Sequence, residues 1–233
     1  MHCYQIKLKE KMLEIYRFRY EPVDSNMFFM PIDDIGVVID PNINDELLEL
    51  LQEKKTKKVF IILTHEHYDH TCGVLWLQEH IESTLFCQEK CVKSISSKKG
   101  NNPQLVAFVL ATKDSLDGGH RYDDFKKTCS RYTLKADNCF IEEKTINIGG
   151  ITIFCISTPG HTPGSACYQI GNEIVFTGDS LIQNTPTITR LPESDSKEYK
   201  TKTLPYLKSL DKNILVFPGH GEPFKIKDAN YLY

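Results

Sequence analysis

The sequence predicts a layered α/β protein built as a single domain over residues 1–233. Three observations predict it. Strand-like runs fall into two groups, and each group leads through a helix to a short apolar strand and a polar loop. The composition, 40% hydrophobic and 25% charged, is that of an ordinary globular chain with length enough to bury a core. No stretch of shifted composition marks a linker, so one large domain is favoured over two small ones.

The elements follow in order. Ile15–Tyr20 alternates apolar and polar residues, and Met27–Ile32 and Gly36–Asp40 flank an Asp33-Asp34 turn, so this part reads as a β-meander. Asn44–Lys55 carries Leu47, Leu48, Leu50 and Leu51 behind the capping residue Asn44, which predicts a helix. Val59–Leu63 is continuously apolar, as in a strand buried on both faces. Val74–Ile81 predicts a helix and Thr84–Cys87 a short strand. From about 96 to 140 the periodicity is weak, with Gly100-Asn101-Asn102-Pro103 and Gly118-Gly119 as breaks, which suggests an inserted subregion or lid. Thr145–Ile148, Ile151–Ser157, Ala166–Ile170 and Glu173–Phe176 are strand-like, joined by the hairpin turns Gly149-Gly150 and Gly171-Asn172. Ser196–Leu210 predicts a helix interrupted at Pro205, and Ile214–Phe217 a last buried strand.

Charge narrows the partners. Lys+Arg minus Asp+Glu is 28 − 31 = −3, which excludes a generally basic nucleic-acid coat. The basic runs Lys54–Lys58 and Lys98-Lys99 read as solvated faces. Charges interrupt the first twenty residues, so no signal-peptide core is expected, and no apolar run reaches membrane-span length. The expectation is a cytoplasmic protein with a small-molecule substrate and neither nucleic acid nor membrane as partner. The eight cysteines form no C-x-x-C pair and read as small buried hydrophobes.

The chemistry lies in Thr64-His65-Glu66-His67-Tyr68-Asp69-His70, where four potential metal ligands fall within six residues after a predicted strand. Imidazoles and a carboxylate suit a borderline divalent ion such as zinc, or iron or manganese. Burying such a cluster without a cation would leave charge and lone pairs unsatisfied. Three further loops each place a His or Asp just past a strand and beside glycine: Thr158-Pro159-Gly160-His161, Thr177-Gly178-Asp179 and Pro218-Gly219-His220-Gly221.

With these residues in this order, the chain resembles the metallo-β-lactamase-fold hydrolases. H-x-H-x-D-H at 65–70, then His161, Asp179 and His220, match that family's metal motifs, and Asp40 matches its acidic residue at the end of an early strand. The resemblance implies a four-layer αβ/βα sandwich of two mixed β-sheets flanked by helices, with the site at one edge between the sheets. It implies that His65, His67 and His161 hold a first divalent ion and that Asp69, His70 and His220 hold a second, with Asp179 bridging. Two zinc ions are expected, with iron or manganese also suited. Asp40 would orient a ligand rather than bind. A metal-bound hydroxide would attack a small ester-like or thioester substrate, and Asp69 would orient the nucleophile or relay a proton.

Within the family, TPGHTPGS at 158–165, TGDSL at 177–181 and PGHG at 218–221 are most similar to the glyoxalase-II-like thioesterases. Glyoxalase II proper carries a C-terminal helical region for glutathione, whereas this sequence runs 13 residues past His220. Two alternatives share the motifs: a mononuclear-iron persulfide dioxygenase-like oxidoreductase, with ligands matching His65, His161 and Asp179, and a lactone hydrolase. Candidates to clamp an anionic substrate group are His120, Arg121, Tyr122 and Arg190. Residues 96–140 are expected to cover the metal cleft in part and to set specificity.

Overall fold

The structure, a computed structural model, describes residues 1–8, 11–97 and 102–232. Lys98, Lys99, Gly100 and Asn101, which include the second basic run and the first half of the break at 100–103, lie outside the described residues. The first sheet contains β1 (His2–Lys7), β2 (Met12–Tyr20), β3 (Ser25–Ile32), β4 (Ile35–Ile39), β5 (Lys58–Ile62), β6 (Glu82–Gln88) and β7 (Asn138–Phe140), in that spatial order. Its β1–β4 part is the antiparallel meander, and β4 through β7 pair in parallel. The second sheet contains β8 (Glu143–Ile148), β9 (Ile151–Ser157), β10 (Ala166–Ile170), β11 (Ile174–Gly178), β12 (Leu215–Pro218) and β13 (Phe224–Lys225). There β11 and β12 are parallel and the other pairs antiparallel, so both sheets are mixed.

Period-two alternation assigns each strand's residues to one of two faces. Leu13 and Ile15, Phe28 and Met30, Val37 and Ile39 point between the sheets, where they meet Tyr168, Phe176 and Phe217 of the second sheet. Phe18, Phe29, Val38, Ile61 and Leu63 point outward under three helices: α1 (Asp45–Glu53), α3 (Val74–His80) and α4 (Glu89–Ile95), while α2 (Tyr68–Thr71) lies between α1 and α3 in sequence. The second sheet turns Cys167, Val175 and Val216 outward against Leu207. The result is the four-layer αβ/βα sandwich. Asn44 caps α1 by accepting from the Glu46 amide at 3.0 Å, as the Asn44 signal predicts.

Several elements differ from the sequence reading. The 96–140 region is not irregular: it holds α5 (Gln104–Asp117) and α6 (Arg121–Thr128). Its periodic signal is weak because apolar residues surround α5, with Val106 and Leu110 buried while Phe108 and Leu116 face solvent. The edge strands β1 and β13 also went unread, since β1 has a mostly exposed, charge-interrupted sequence and β13 only two residues. The predicted 196–210 helix is three pieces: α7 (Ser196–Glu198), a π-helical turn over Tyr199–Thr203, and α8 (Leu204–Ser209). Pro205 cannot donate to the Thr201 carbonyl, and the wider turn has the Leu204 amide bonded to the Tyr199 carbonyl instead.

Candidate metal centre

The predicted ligands gather at one edge of the sandwich, most of them just beyond the end of a strand. His65 and His67 follow β5, His161 follows β9, Asp179 follows β11 and His220 follows β12. Asp69 and His70 lie on α2, so that one helical turn aims both at the cluster. In open parallel sheets, the carboxyl ends of strands are where chain crossings leave a crevice for ligands. Asp40 ends β4 with φ of 52°, a left-handed conformation that aspartate tolerates better than most residues.

The side chains converge in two groups that share Asp179. In the first, the His67 Nδ1 lies 3.1 Å from the Nε2 of His65 and 3.1 Å from the Nε2 of His161. In the second, the Asp69 Oδ2 lies 3.4 Å from the Nε2 of both His70 and His220. Asp179 spans the two: its Oδ1 is 3.6 Å from His70 Nε2, and its Oδ2 is 3.5 Å from both His161 Nε2 and His220 Nε2.

The other ring nitrogens are occupied by the protein, which selects the tautomers. The His70 Nδ1 donates to Asp40 Oδ2 at 2.9 Å, the His161 Nδ1 to the Ile188 carbonyl at 2.9 Å, and the His220 Nδ1 to the Val23 carbonyl at 3.2 Å. The His65 Nδ1 is 3.0 Å from the Thr64 hydroxyl, which itself donates to Asp40 at 2.6 Å. Four imidazoles thereby keep Nε2 for the cluster, and only His67 presents Nδ1. Holding the far nitrogen of an imidazole in this way fixes both its tautomer and its basicity.

Burial and mutual charge divide the groups electrostatically. Burial, reinforced by His161, pushes His67 down to about 3, and burial with His70 and His67 nearby drives His65 well below the ordinary histidine value. Both are neutral donors at physiological pH. Burial would also lower His70, but the Asp69, Asp40 and Asp179 carboxylates override it and raise the ring to about 10. His220 is raised for the same reason by Asp179 and Asp69. Burial opposes ionisation of Asp69, yet His70 and His220 hold its carboxyl below the usual range.

The donor set fits divalent ions. Tetrahedral coordination at about 2.0–2.1 Å sets donors roughly 3.3 Å apart, close to the spacing in the histidine triad. The donor atoms of His65, His67 and His161 lie within 4.8 Å of one another, as do those of Asp69, His70 and His220. The His70 Nε2 and Asp179 Oδ1 are buried without a hydrogen-bond partner, a cost expected only where another ligand satisfies them. No cysteine joins these groups among the described residues.

Of the four suggested anion clamps, two have local packing or pairing roles and two face solvent. Arg121 bonds Asp114 and Asp117 and ties α6 to the end of α5, which explains its charge locally. Tyr122 packs against the Tyr68–Phe125 cluster, while His120 and Arg190 are exposed. Ser165 and Ser180 have backbone-bracing roles: Ser165 Oγ accepts from the Thr162 amide at 3.0 Å, and Ser180 Oγ donates to the Thr158 carbonyl at 3.4 Å.

Sequence reasoning missed a set of bracing residues. Arg17 is only 1% exposed; it donates to the Gly221 carbonyl at 2.9 Å and pairs with Glu222 at 2.6 Å, beside His220. Asn26 holds the same loop through the Pro218 and Gly221 carbonyls. Glu66 accepts from the Thr162 hydroxyl at 2.8 Å and so joins the loop of His65 and His67 to that of His161. Arg17 is in phase with Leu13 and Ile15, but only the packing of β2 shows that this face points into the core.

A layered pair of mixed sheets with histidines and aspartates gathered at one edge defines the metallo-hydrolase architecture. The model of the metallo-beta-lactamase superfamily matches residues 20–220, and the chain belongs to that superfamily. It is 27% identical over 225 residues to a protein of Streptococcus pyogenes serotype M6 described as a "probable metallo-hydrolase", covering 94% of this chain and 90% of the relative. A "probable hydroxyacylglutathione hydrolase" of Schizosaccharomyces pombe is 24% identical over 193 residues, covering 80% of this chain and 59% of the relative. Among solved structures, TTHA1623 in a di-iron-bound form has the same fold, with a TM-score of 0.69, 23% identity, and coverage of 91% of this chain and 95% of that one.

Proposed function

We propose that the chain is a dinuclear-metal hydrolase of the glyoxalase-II-like kind, acting on a small ester-like or thioester substrate. His65, His67 and His161 hold one divalent ion, Asp69, His70 and His220 hold the other, and Asp179 is shared. The observation that carries this reading is the position of Asp179, whose Oδ2 lies 3.5 Å from the Nε2 of His161 in one group and of His220 in the other, with Oδ1 3.6 Å from His70 Nε2. Zinc suits the donors best, and iron or manganese would also fit.

Bound there, such ions supply Lewis acidity toward a carbonyl and a water acidified to about pKa 7. The chain's own residues do the rest. His65, His70, His161 and His220 aim Nε2 at the cluster in fixed directions, because their far sides are held by Thr64, Asp40, Ile188 and Val23. Asp69, with one oxygen 3.4 Å from both His70 and His220, orients the attacking water or relays its proton. The "hydroxyacylglutathione hydrolase" relative supports a thioester, and the negative net charge supports a small molecule over nucleic acid. A cytoplasmic location is part of the same proposal; no described helix is long and apolar enough to cross a membrane.

Elemental analysis of protein purified without added metal, followed by a thioester, lactone and phosphodiester panel, tests the proposal. Two metals per chain and thioester turnover are expected. His161→Ala and Asp179→Ala should each lose metal and reduce turnover by at least a hundredfold. One iron per chain with sulfur-dependent oxygen uptake would instead establish the persulfide dioxygenase alternative, and turnover confined to lactones the lactonase one.

A further inference from the structure

His220 sits on the stretch Pro218-Gly219-His220-Gly221, and backbone flanked by glycine on both sides does not hold one shape by itself. Its own sheet ties it at the Gly219 amide, which donates to the Gly178 carbonyl at 2.8 Å. From there the contacts cross to β2, β3 and the turn between them in the other sheet. The Asn26 amide donates to the Gly219 carbonyl at 2.7 Å, and the Asn26 side chain to the Pro218 and Gly221 carbonyls at 3.0 and 2.8 Å. The His220 ring bonds the Val23 carbonyl at 3.2 Å. Arg17 adds two more: its Nη1 donates to the Gly221 carbonyl at 2.9 Å and its Nη2 to Glu222 at 2.6 Å. On the same hairpin end, the Ser25 hydroxyl donates to the Asp69 carbonyl at 3.1 Å. The β2–β3 hairpin therefore holds both the His220 loop and the backbone of Asp69.

Local stability does not account for Arg17. Its guanidinium is 1% exposed, its Nε is buried without a hydrogen-bond partner, and its counter-charge Glu222 is 67% exposed. Desolvating such a cation is costly, and exchange of a buried pair for packed apolar side chains is often neutral or stabilising. What an apolar side chain lacks is the rigid fork that aims two donors at once. Both donors go to Gly221 and Glu222, the two residues that follow His220. The first group is braced differently, by the Thr162 hydroxyl on Glu66 at 2.8 Å. A cavity of about 350 Å³ beside His67, walled in part by Leu105 and Phe108 of α5, draws none of its described lining from Arg17 or the His220 loop. We propose that Arg17 is a positioning residue for the second ion: binding at Asp69, His70 and His220 depends on it, and binding at His65, His67 and His161 does not. The inference rests on the dinuclear reading above. Arg17 acts through the Gly221 and Glu222 contacts, which keep the His220 Nε2 3.4 Å from Asp69 Oδ2 and 3.5 Å from Asp179 Oδ2.

The test titrates the metal-free full chain with cobalt(II), followed by calorimetry and by the visible absorption of the bound ion. His220→Ala, run alongside, marks the signature of the second position by losing it. Wild type should take up two equivalents. Residues that hold a ligand in place from behind change metal affinity about 10- to 100-fold, so Arg17→Met should weaken the second equivalent about tenfold and leave the first within about twofold. Arg17→Lys, which keeps a cation but not the fork, should fall between Arg17→Met and wild type. Glu222→Ala removes one acceptor of the fork at an exposed position, without opening the core, and should weaken the second equivalent in the same direction. It decides the matter if Arg17→Met does not fold, since unchanged second-ion affinity in Glu222→Ala would then overturn the proposal. Urea unfolding of the metal-free variants separates a purely structural role. A lowered midpoint with both affinities at wild-type values, or an equal loss at both positions, overturns the Arg17 assignment and leaves the dinuclear reading intact. Uptake of a single equivalent by wild type overturns the dinuclear reading, and the Arg17 assignment with it.

Discussion

At Asp40, three hydrogen bonds converge on one buried carboxylate: the Thr64 amide at 2.7 Å, the Thr64 hydroxyl at 2.6 Å and the His70 ring at 2.9 Å. Burial raises its pKa, and His70 and Thr64 work against that rise. This one side chain therefore orients His70 directly and His65 through the Thr64 hydroxyl. Asp40→Asn keeps the shape but replaces one acceptor oxygen with an amide donor. Residues in such outer positions typically change metal affinity by about 10- to 100-fold when substituted. Asp40→Asn should lower affinity for the ion at Asp69, His70 and His220 by that factor, as read by competition against a chromogenic chelator. An unchanged affinity at both positions would show that Asp40 does not orient His70. Asp40 was legible through the family resemblance, which places an acidic residue at the end of an early strand. Arg17 was harder to read, because an arginine in a strand is ordinarily solvated and only packing shows that this one is sealed beside the His220 loop.

Among the elements, the loop from Thr158 to Ser165 shows how local backbone serves the cluster. Gly160 has φ of 133°, and a β-carbon there would overlap the β-carbon of Tyr199 and come within 2.8 Å of its backbone nitrogen. Tyr199 opens the π-helical turn that precedes Pro205, so the turn and the loop interlock. The Thr203 hydroxyl donates to the Pro159 carbonyl at 2.6 Å and strengthens the same contact. Gly160→Ala should cost about 2–3 kcal/mol from left-handed strain and overlap together, measured by urea unfolding of metal-free protein. His161 should shift with the loop, so first-ion affinity should fall as well. A variant with wild-type stability would mean the contact relaxes without cost. The sequence announced this loop through its glycines and prolines, but gave no sign that a π-turn stood against it, since the two segments are about forty residues apart.

For the whole molecule, the clustering of buried histidines ties stability to pH. In metal-free protein, His67 titrates near 3 when folded and near 6.5 when unfolded. Below pH 6.5 the unfolded chain binds a proton that the folded chain refuses, so stability falls as pH drops from 6.5 toward 3. His70 has the opposite sign. Raised to about 10, it contributes fully below 6.5, and that contribution is lost as pH rises through 10. The urea midpoint of chelator-treated protein should therefore peak near pH 6.5 and fall on both sides. A midpoint that is flat from pH 5 to 9 would contradict these buried protonation states. The second group must also surrender protons to take up an ion, so its occupancy should fall before that of the histidine triad as pH is lowered from 8 to 5, by elemental analysis after dialysis.

The sequence by itself determined the two β-rich halves, the helix after Asn44 and the order of His65, His67, Asp69, His70, His161, Asp179 and His220. It could do so because strand alternation, capping and closely spaced ligand types are local patterns, readable over a few residues. Only the tertiary structure decided which nitrogen each imidazole presents, that Asp179 lies between both groups, that Arg17 is buried, and that α5 forms a wall of the cavity beside His67. Those facts depend on partners tens to hundreds of residues away, such as Ile188 for His161, Val23 for His220 and Gly221 for Arg17. Periodicity within a strand or helix carries no information about which distant carbonyl or carboxylate will lie opposite it once the two sheets close on each other.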